Sequence, residues 1–120
     1  MNKKNPTAGK LIIISTPIGN LSDLSIRAHE TFNSLDLLFC EDTRVTQKLL
    51  THLNVRLPLH VYNDQSTQKN RDMIVHHILN GKVIGLVSDA GTPLISDPGY
   101  KLVKACHDAN IIVEGVPGPT

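Results

Sequence analysis

Residues 82–99 read KVIGLVSDAGTPLISDPG, and the order of residue types in this stretch decides the fold. Val83 to Val87 are apolar at nearly every position rather than every second one, the pattern of a strand buried on both faces of a parallel sheet. A loop follows that carries two Gly and two Pro among Ser, Asp and Thr, with Leu94-Ile95 as an apolar island. It closes on Asp97-Pro98, a pair suited to the N-cap and first position of a helix bearing Leu102, Val103 and Cys106. Such a loop is costly to order and longer than a connector needs, so it marks a place where something is held.

The same strand, loop and helix alternation extends in both directions. Upstream, GKLIIIS (9–15) reads as a buried strand, followed by a helix from about Leu24 to Ser34 with Leu24, Ala28, Phe32 and Leu35 at helical spacing and Asp23 as its N-cap. LDLLFCED (35–42) is a second strand, and TRVTQKLLTHLN (43–54) a second helix with a stripe of Val45, Leu49, Leu50 and Leu53. LPLHVYN (57–63) is a third strand, weakened by Pro58. A polar segment then leads into a helix with Met73, Ile74, His77 and Ile78 on one face, ended by Gly81 at C′. IIVEGV (111–116) is the last strand. Five strands alternating with four helices predict an α/β domain: a five-stranded, mostly parallel sheet with helices on both faces, over residues 9–120, with 1–8 as a flexible tail.

Composition narrows the class further. The 120 residues are 40% hydrophobic and only 3% aromatic, so the core has to be aliphatic. The longest apolar run is about five residues, against the roughly 20 of a membrane span, and MNKKNPTAGK lacks the apolar centre of a signal peptide. Cys40 and Cys106 form no C-x-x-C and sit in apolar elements, as buried free thiols of a reducing cytoplasm would. The six His residues gather at no metal-ligand spacing, and no metal is expected. A formal charge of +1 gives no overall basic character of the kind that announces nucleic acid.

In open α/β sheets, ligands bind at the carboxyl ends of the strands. Those ends carry STPIGN (15–20), CEDTR (40–44), YND (62–64), the 88–99 loop and GVPGPT (115–120), whereas the opposite rim offers only LNVRLP (53–58) and LNGK (79–82) as comparable turns. The first of these loops is no G-x-G-x-x-G, and the chain has neither a P-loop nor G-x-S-x-G. A ligand without phosphates remains, held by backbone groups and a few acids. S-adenosylmethionine meets that description, as do other adenosine ligands; Asp89 is placed to accept from a ribose diol or an ammonium group.

The strings TPIGNLSDLSIRA (16–28), CEDTRVTQKLL (40–50), LVSDAGTPLISDPGYKLV (86–103) and GVPGPT (115–120), in this order, resemble the tetrapyrrole methylase superfamily, and within it the branch acting on small-subunit ribosomal RNA. The resemblance implies the amino-terminal domain of a two-domain, cytoplasmic, homodimeric enzyme, the chain stopping before the second domain. S-adenosylmethionine would lie between the domains, and its methyl group would go to the ribose 2′-oxygen of a cytidine in 16S rRNA. It further implies cofactor contacts at Pro17, Asp89, Ala90, Gly91, Thr92, Pro93 and Thr120, with Ile18 and Gly19 bordering the cleft.

Arg44 then meets an RNA phosphate and Asn63 a base or sugar. Glu41, Asp64 and Asp89 are the candidate bases for the attacking hydroxyl. Structural readings compete: Glu41, Asp42 and Arg44 as an ion-pair cluster, and Asn63 as the cap of the polar loop after it. Tyr62 and Asp64 depart from the branch, which more often has His and Glu around this Asn. Two other functions compete as well: a tetrapyrrole-type small-molecule methyltransferase, against which the low aromatic content and EDTR tell, and a non-catalytic adenosine-binding module.

Overall fold

The apolar runs form five strands that alternate with four helices: β1 (Lys10–Ser15), α1 (Ile26–Ser34), β2 (Leu37–Cys40), α2 (Thr43–Leu53), β3 (Leu59–Val61), α3 (Gln68–Leu79), β4 (Val83–Ser88), α4 (Asp97–Asp108) and β5 (Ile112–Val116). The computed structural model describes residues 9–15, 26–88 and 97–116. All the strand pairs are parallel and the sheet order is β3-β2-β4-β1-β5. The α/β architecture expected from the sequence is therefore the one observed.

Continuous apolar strands serve two cores at once, because successive side chains point to opposite faces. Ile12 and Ile14 of β1, with Leu38 and Cys40 of β2 and Val87 of β4, pack with Phe32 and Leu35 on one face, under α1 and α2. Leu11 of β1, with Ile84 and Leu86 of β4, packs with Ile74, Ile78, Leu102 and Cys106 on the other, under α3 and α4. Cys40 and Cys106 lie on opposite faces as buried free thiols, and burial pushes the Cys106 thiol up to about 11. Gly85, in the middle of β4, makes room for α1 to close down: a Cβ there would stand 2.5 Å from Leu35 Cδ1 and 2.9 Å from Leu38 Cδ1. Asp36 fixes the β2–β4 register, its backbone N–H donating to the Val83 carbonyl and its carboxylate accepting from the Val83 N–H, both at 2.8 Å.

Three helices end in one way. Residues Asn54, Gly81 and Asn110, at φ 58, 98 and 60, reverse the chain after α2, α3 and α4. In each case the next N–H donates back five residues, from Val55 to Leu50, from Lys82 to His77 and from Ile111 to Cys106, closing a Schellman turn. These turns make the rim opposite the strands' carboxyl ends short and saturated with hydrogen bonds.

Local expectations are corrected at four places. The α2 stripe is Thr46, Leu49, Leu50 and the partly buried Leu53, not Val45, which is 58% exposed. Thr46 takes the inward position because the helix phase set by Leu49 and Leu50 puts it one turn before them, and Val45 lies about 100° away. Met73 is likewise 51% exposed, while Ile74 and Ile78 carry the buried face of α3. Asp97 is the first helical residue of α4 rather than its N-cap. β2 is confined to four residues: the Asp36 carboxylate before it takes the Val83 N–H of β4, and Asp42 after it caps α2. Leu24 and Asp23 lie outside the described residues.

Candidate functional site

The sheet order sends neighbouring strands' connections to different faces at the carboxyl rim. α1 and α2, which follow β1 and β2, lie on one face, and α3 and α4, which follow β3 and β4, lie on the other. The two central strands, β4 and β1, run in register to their ends, Ser15 beside Ser88, and the helices after them cover opposite faces. The neighbouring pair β2 and β4 diverges in the same way. Chains that part like this leave a crevice above the strand ends, and ligands of open α/β sheets bind in such crevices.

Of the residues singled out in the sequence, Glu41, Arg44, Asn63 and Asp64 are described, and all four sit at the carboxyl ends of β2 and β3. The structure brings them to one side of the crevice, since the Tyr62 N–H donates to the Cys40 carbonyl at 2.8 Å and draws the two strand ends together. Pro17, Asp89, Ala90, Gly91, Thr92, Pro93 and Thr120 lie outside the described residues, as do Ile18 and Gly19.

Asp42 is the N-cap of α2, accepting from the Arg44 backbone N–H at 2.9 Å, and its two oxygens also receive Arg44 Nε at 3.2 Å and Nη2 at 3.1 Å. Those hydrogen bonds from Arg44 hold the Asp42 carboxyl below its ordinary value, and Asp42 in turn raises the guanidinium. The Arg44 side chain is nonetheless 87% exposed, and three of its five N–H donors point elsewhere than Asp42. Glu41 and Asp64 are exposed carboxylates at the same rim. The Asn63 side-chain oxygen accepts from the Gln65 N–H at 2.9 Å, and its backbone N–H and carbonyl pair with the Ser66 hydroxyl and N–H. Asn63 thus builds the turn that leads towards α3, where Thr67 and Asn70 form a capping box.

Sequence reasoning missed what Tyr62 does. It is 1% exposed, packed in the α3–α4 core, and its hydroxyl donates to the Pro98 carbonyl in the first turn of α4. The end of β3 is thereby tied to the start of α4. Nothing in the local sequence announces a bond across 36 positions. Among the described residues, no group of three or more His, Cys, Asp or Glu side chains could hold a metal ion, and no helix is long and apolar enough to cross a membrane.

A parallel sheet whose connections diverge over its carboxyl rim defines an α/β protein with a ligand crevice at that rim. Residues 10–120 match the family model for Tetrapyrrole (Corrin/Porphyrin) Methylases, and the chain belongs to that family. Among curated relatives, the chain is 51% identical over 108 residues to a ribosomal RNA small subunit methyltransferase I of Rickettsia prowazekii, covering 90% of this chain and 39% of the relative. It is 47% identical over 112 residues to the protein so named in Thermotoga maritima, covering 93% and 50%. The chain thus spans between two fifths and half of the length of these relatives. In fold it is similar to uroporphyrin-III-C-methyltransferase from Thermus thermophilus, with a TM-score of 0.72 at 20% identity, over 94% of this chain and 49% of that one.

Proposed function

We propose that this chain is the amino-terminal domain of an S-adenosylmethionine-dependent methyltransferase that modifies the ribose 2′-oxygen of a cytidine in 16S rRNA. The observation that carries this reading is the 45–51% identity, over nearly the whole chain, to proteins named ribosomal RNA small subunit methyltransferase I. The divergence of the chain after Ser15 and Ser88 to opposite faces of the sheet supports it, since ligands of open α/β sheets bind where neighbouring connections part.

In this reading the cofactor, when bound, supplies an electrophilic methyl group on a sulfonium. Pro17, Asp89 to Pro93 and Thr120, which follow β1, β4 and β5 in the sequence, hold it. Arg44 and Asn63 meet the RNA, and Glu41, Asp64 or Asp89 accepts the proton of the attacking hydroxyl. Because the positive charge disperses as the methyl moves, a dry and well-aligned crevice favours the transfer. The partners implied are the small ribosomal subunit and a second copy of the complete protein, in the cytoplasm.

The test is a chimera in which this chain replaces the matching region of the Thermotoga maritima relative. Supplied with labelled S-adenosylmethionine and small ribosomal subunits, it should place label on a cytidine ribose. A folded chimera that labels only a base, or nothing while the parent is active, contradicts the reading.

A further inference from the structure

No Asp or Glu occurs between Asp42 and Asp64, a stretch that carries Arg44, Lys48 and Arg56. The chain's formal charge of +1 therefore divides into +3 here and −2 elsewhere. α2 is alone among the four helices in having no carboxylate of its own. Arg44, Lys48 and His52 follow one another at four-residue spacing on its exposed side, each about 6 Å further along the axis. Thr43, Gln47 and Thr51 line the same shallow groove as this basic row. A second groove shares Gln47 and Thr51 and continues past the helix end to Arg56. The row starts at the carboxyl rim, where Arg44 stands, and runs down the outside of α2. Lys48 and Arg56 have no carboxylate within ion-pair reach among the described residues, whereas Lys101 and Lys104 of α4 pair with Asp97 and Asp108 at 3.6 Å.

We infer that the outer face of α2 is a docking surface for the RNA phosphodiester backbone, with Arg44, Lys48 and Arg56 as phosphate contacts and Gln47, Thr51 and His52 as hydrogen-bonding neighbours. This rests on the rRNA reading above and adds where the strand runs. Charge complementarity selects the occupant: a stretch of +3 with no carboxylate of its own, in which Arg44 is paired with Asp42 and Lys48 and Arg56 are not paired among the described residues, flanked by amide and hydroxyl groups, suits a chain of phosphates. The arrangement reads backbone rather than sequence. Asp42 holds the Arg44 guanidinium in a fixed plane, so its remaining donors are already oriented at the rim end of the row.

The experiment is fluorescence anisotropy with a labelled single-stranded 12-nucleotide cytidine–uridine RNA across a salt series. The wild-type chain is compared with Lys48→Ala, Arg56→Ala and the control Lys101→Ala. Calorimetric titration of each with S-adenosylhomocysteine runs alongside. The expected result is a three- to tenfold loss of RNA affinity at low salt for each of the first two, with a salt slope reduced by about 0.7 per phosphate contact removed. Lys101→Ala should bind RNA like the wild type, and all four proteins should bind S-adenosylhomocysteine alike. RNA binding unchanged in Lys48→Ala and Arg56→Ala, equally weakened in Lys101→Ala, or undetectable in the wild type overturns the inference. Cofactor binding retained in those cases leaves the methyltransferase reading standing; its loss in every protein is a failure of that reading instead.

Discussion

Tyr62→Phe isolates the tie between β3 and α4. The substitution keeps the buried ring and removes the hydroxyl, which donates to the Pro98 carbonyl and also meets the Arg71 guanidinium. Pro98 is itself buried in the first turn of α4, where its carbonyl also accepts within the helix, so the change removes one of that carbonyl's two hydrogen bonds away from bulk water. A buried hydrogen bond of this kind contributes about 1 kcal/mol. For a domain of this size that corresponds to a fall in Tm of about 4 °C. A second signature comes from pH. Burial raises the Tyr62 phenol above its ordinary value, so above pH 10 the unfolded chain loses this proton before the native one does. The stability that Tyr62 contributes is therefore complete below pH 10 and declines as pH rises towards the native pKa. Thermal unfolding followed by circular dichroism, for both proteins from pH 7 to pH 11, reads both effects. Equal Tm values at pH 7, or a wild-type advantage that grows above pH 10, would refute the reasoning.

Two further outcomes are expected. Gly85→Ala should lower stability by about 1–3 kcal/mol through overpacking, because its new methyl meets Leu35 and Leu38, and chemical denaturation with an unchanged m-value would show it; Leu35→Ala in the same chain should recover part of the loss. Asp42→Ala should lower Tm by removing the α2 cap, whereas Asp42→Asn should keep most of it, since Asn caps as well as Asp. Because the Asp42 carboxyl is depressed, its charge-dependent share is present above its ordinary value near pH 4 and is lost as pH falls through the lower native pKa, and an acid titration of Tm in wild type and Asp42→Asn measures that difference.

The alternation of strands and helices was legible because each strand is an unbroken apolar run and each helix carries a local stripe. Gly81 was legible as a helix stop for the same local reason. Asn54 and Asn110, which take the same backbone conformation, carry a weaker signal, since Asn serves in caps, turns and loops alike. Helix phase was harder to read. Thr46 looks polar and Val45 apolar, yet Leu49 and Leu50 fix the rotation, and Thr46 goes inward. At the site, the cluster of Glu41, Asp42 and Arg44 was visible in sequence, but the division of labour within it is a matter of angles. Asp42 caps and clamps, and Arg44 stays exposed. The Tyr62–Pro98 bond depends on the sheet order, which places β3 at an edge and α4 on the opposite face from α2. The basic row on α2 was hidden by averaging: a net charge near zero for the chain says nothing about a stretch without a carboxylate.

The most direct test of the account is calorimetric titration of this chain with S-adenosylhomocysteine, with NAD as the control ligand. The proposed function predicts saturable binding of S-adenosylhomocysteine and none of NAD. Preferential binding of NAD would contradict it.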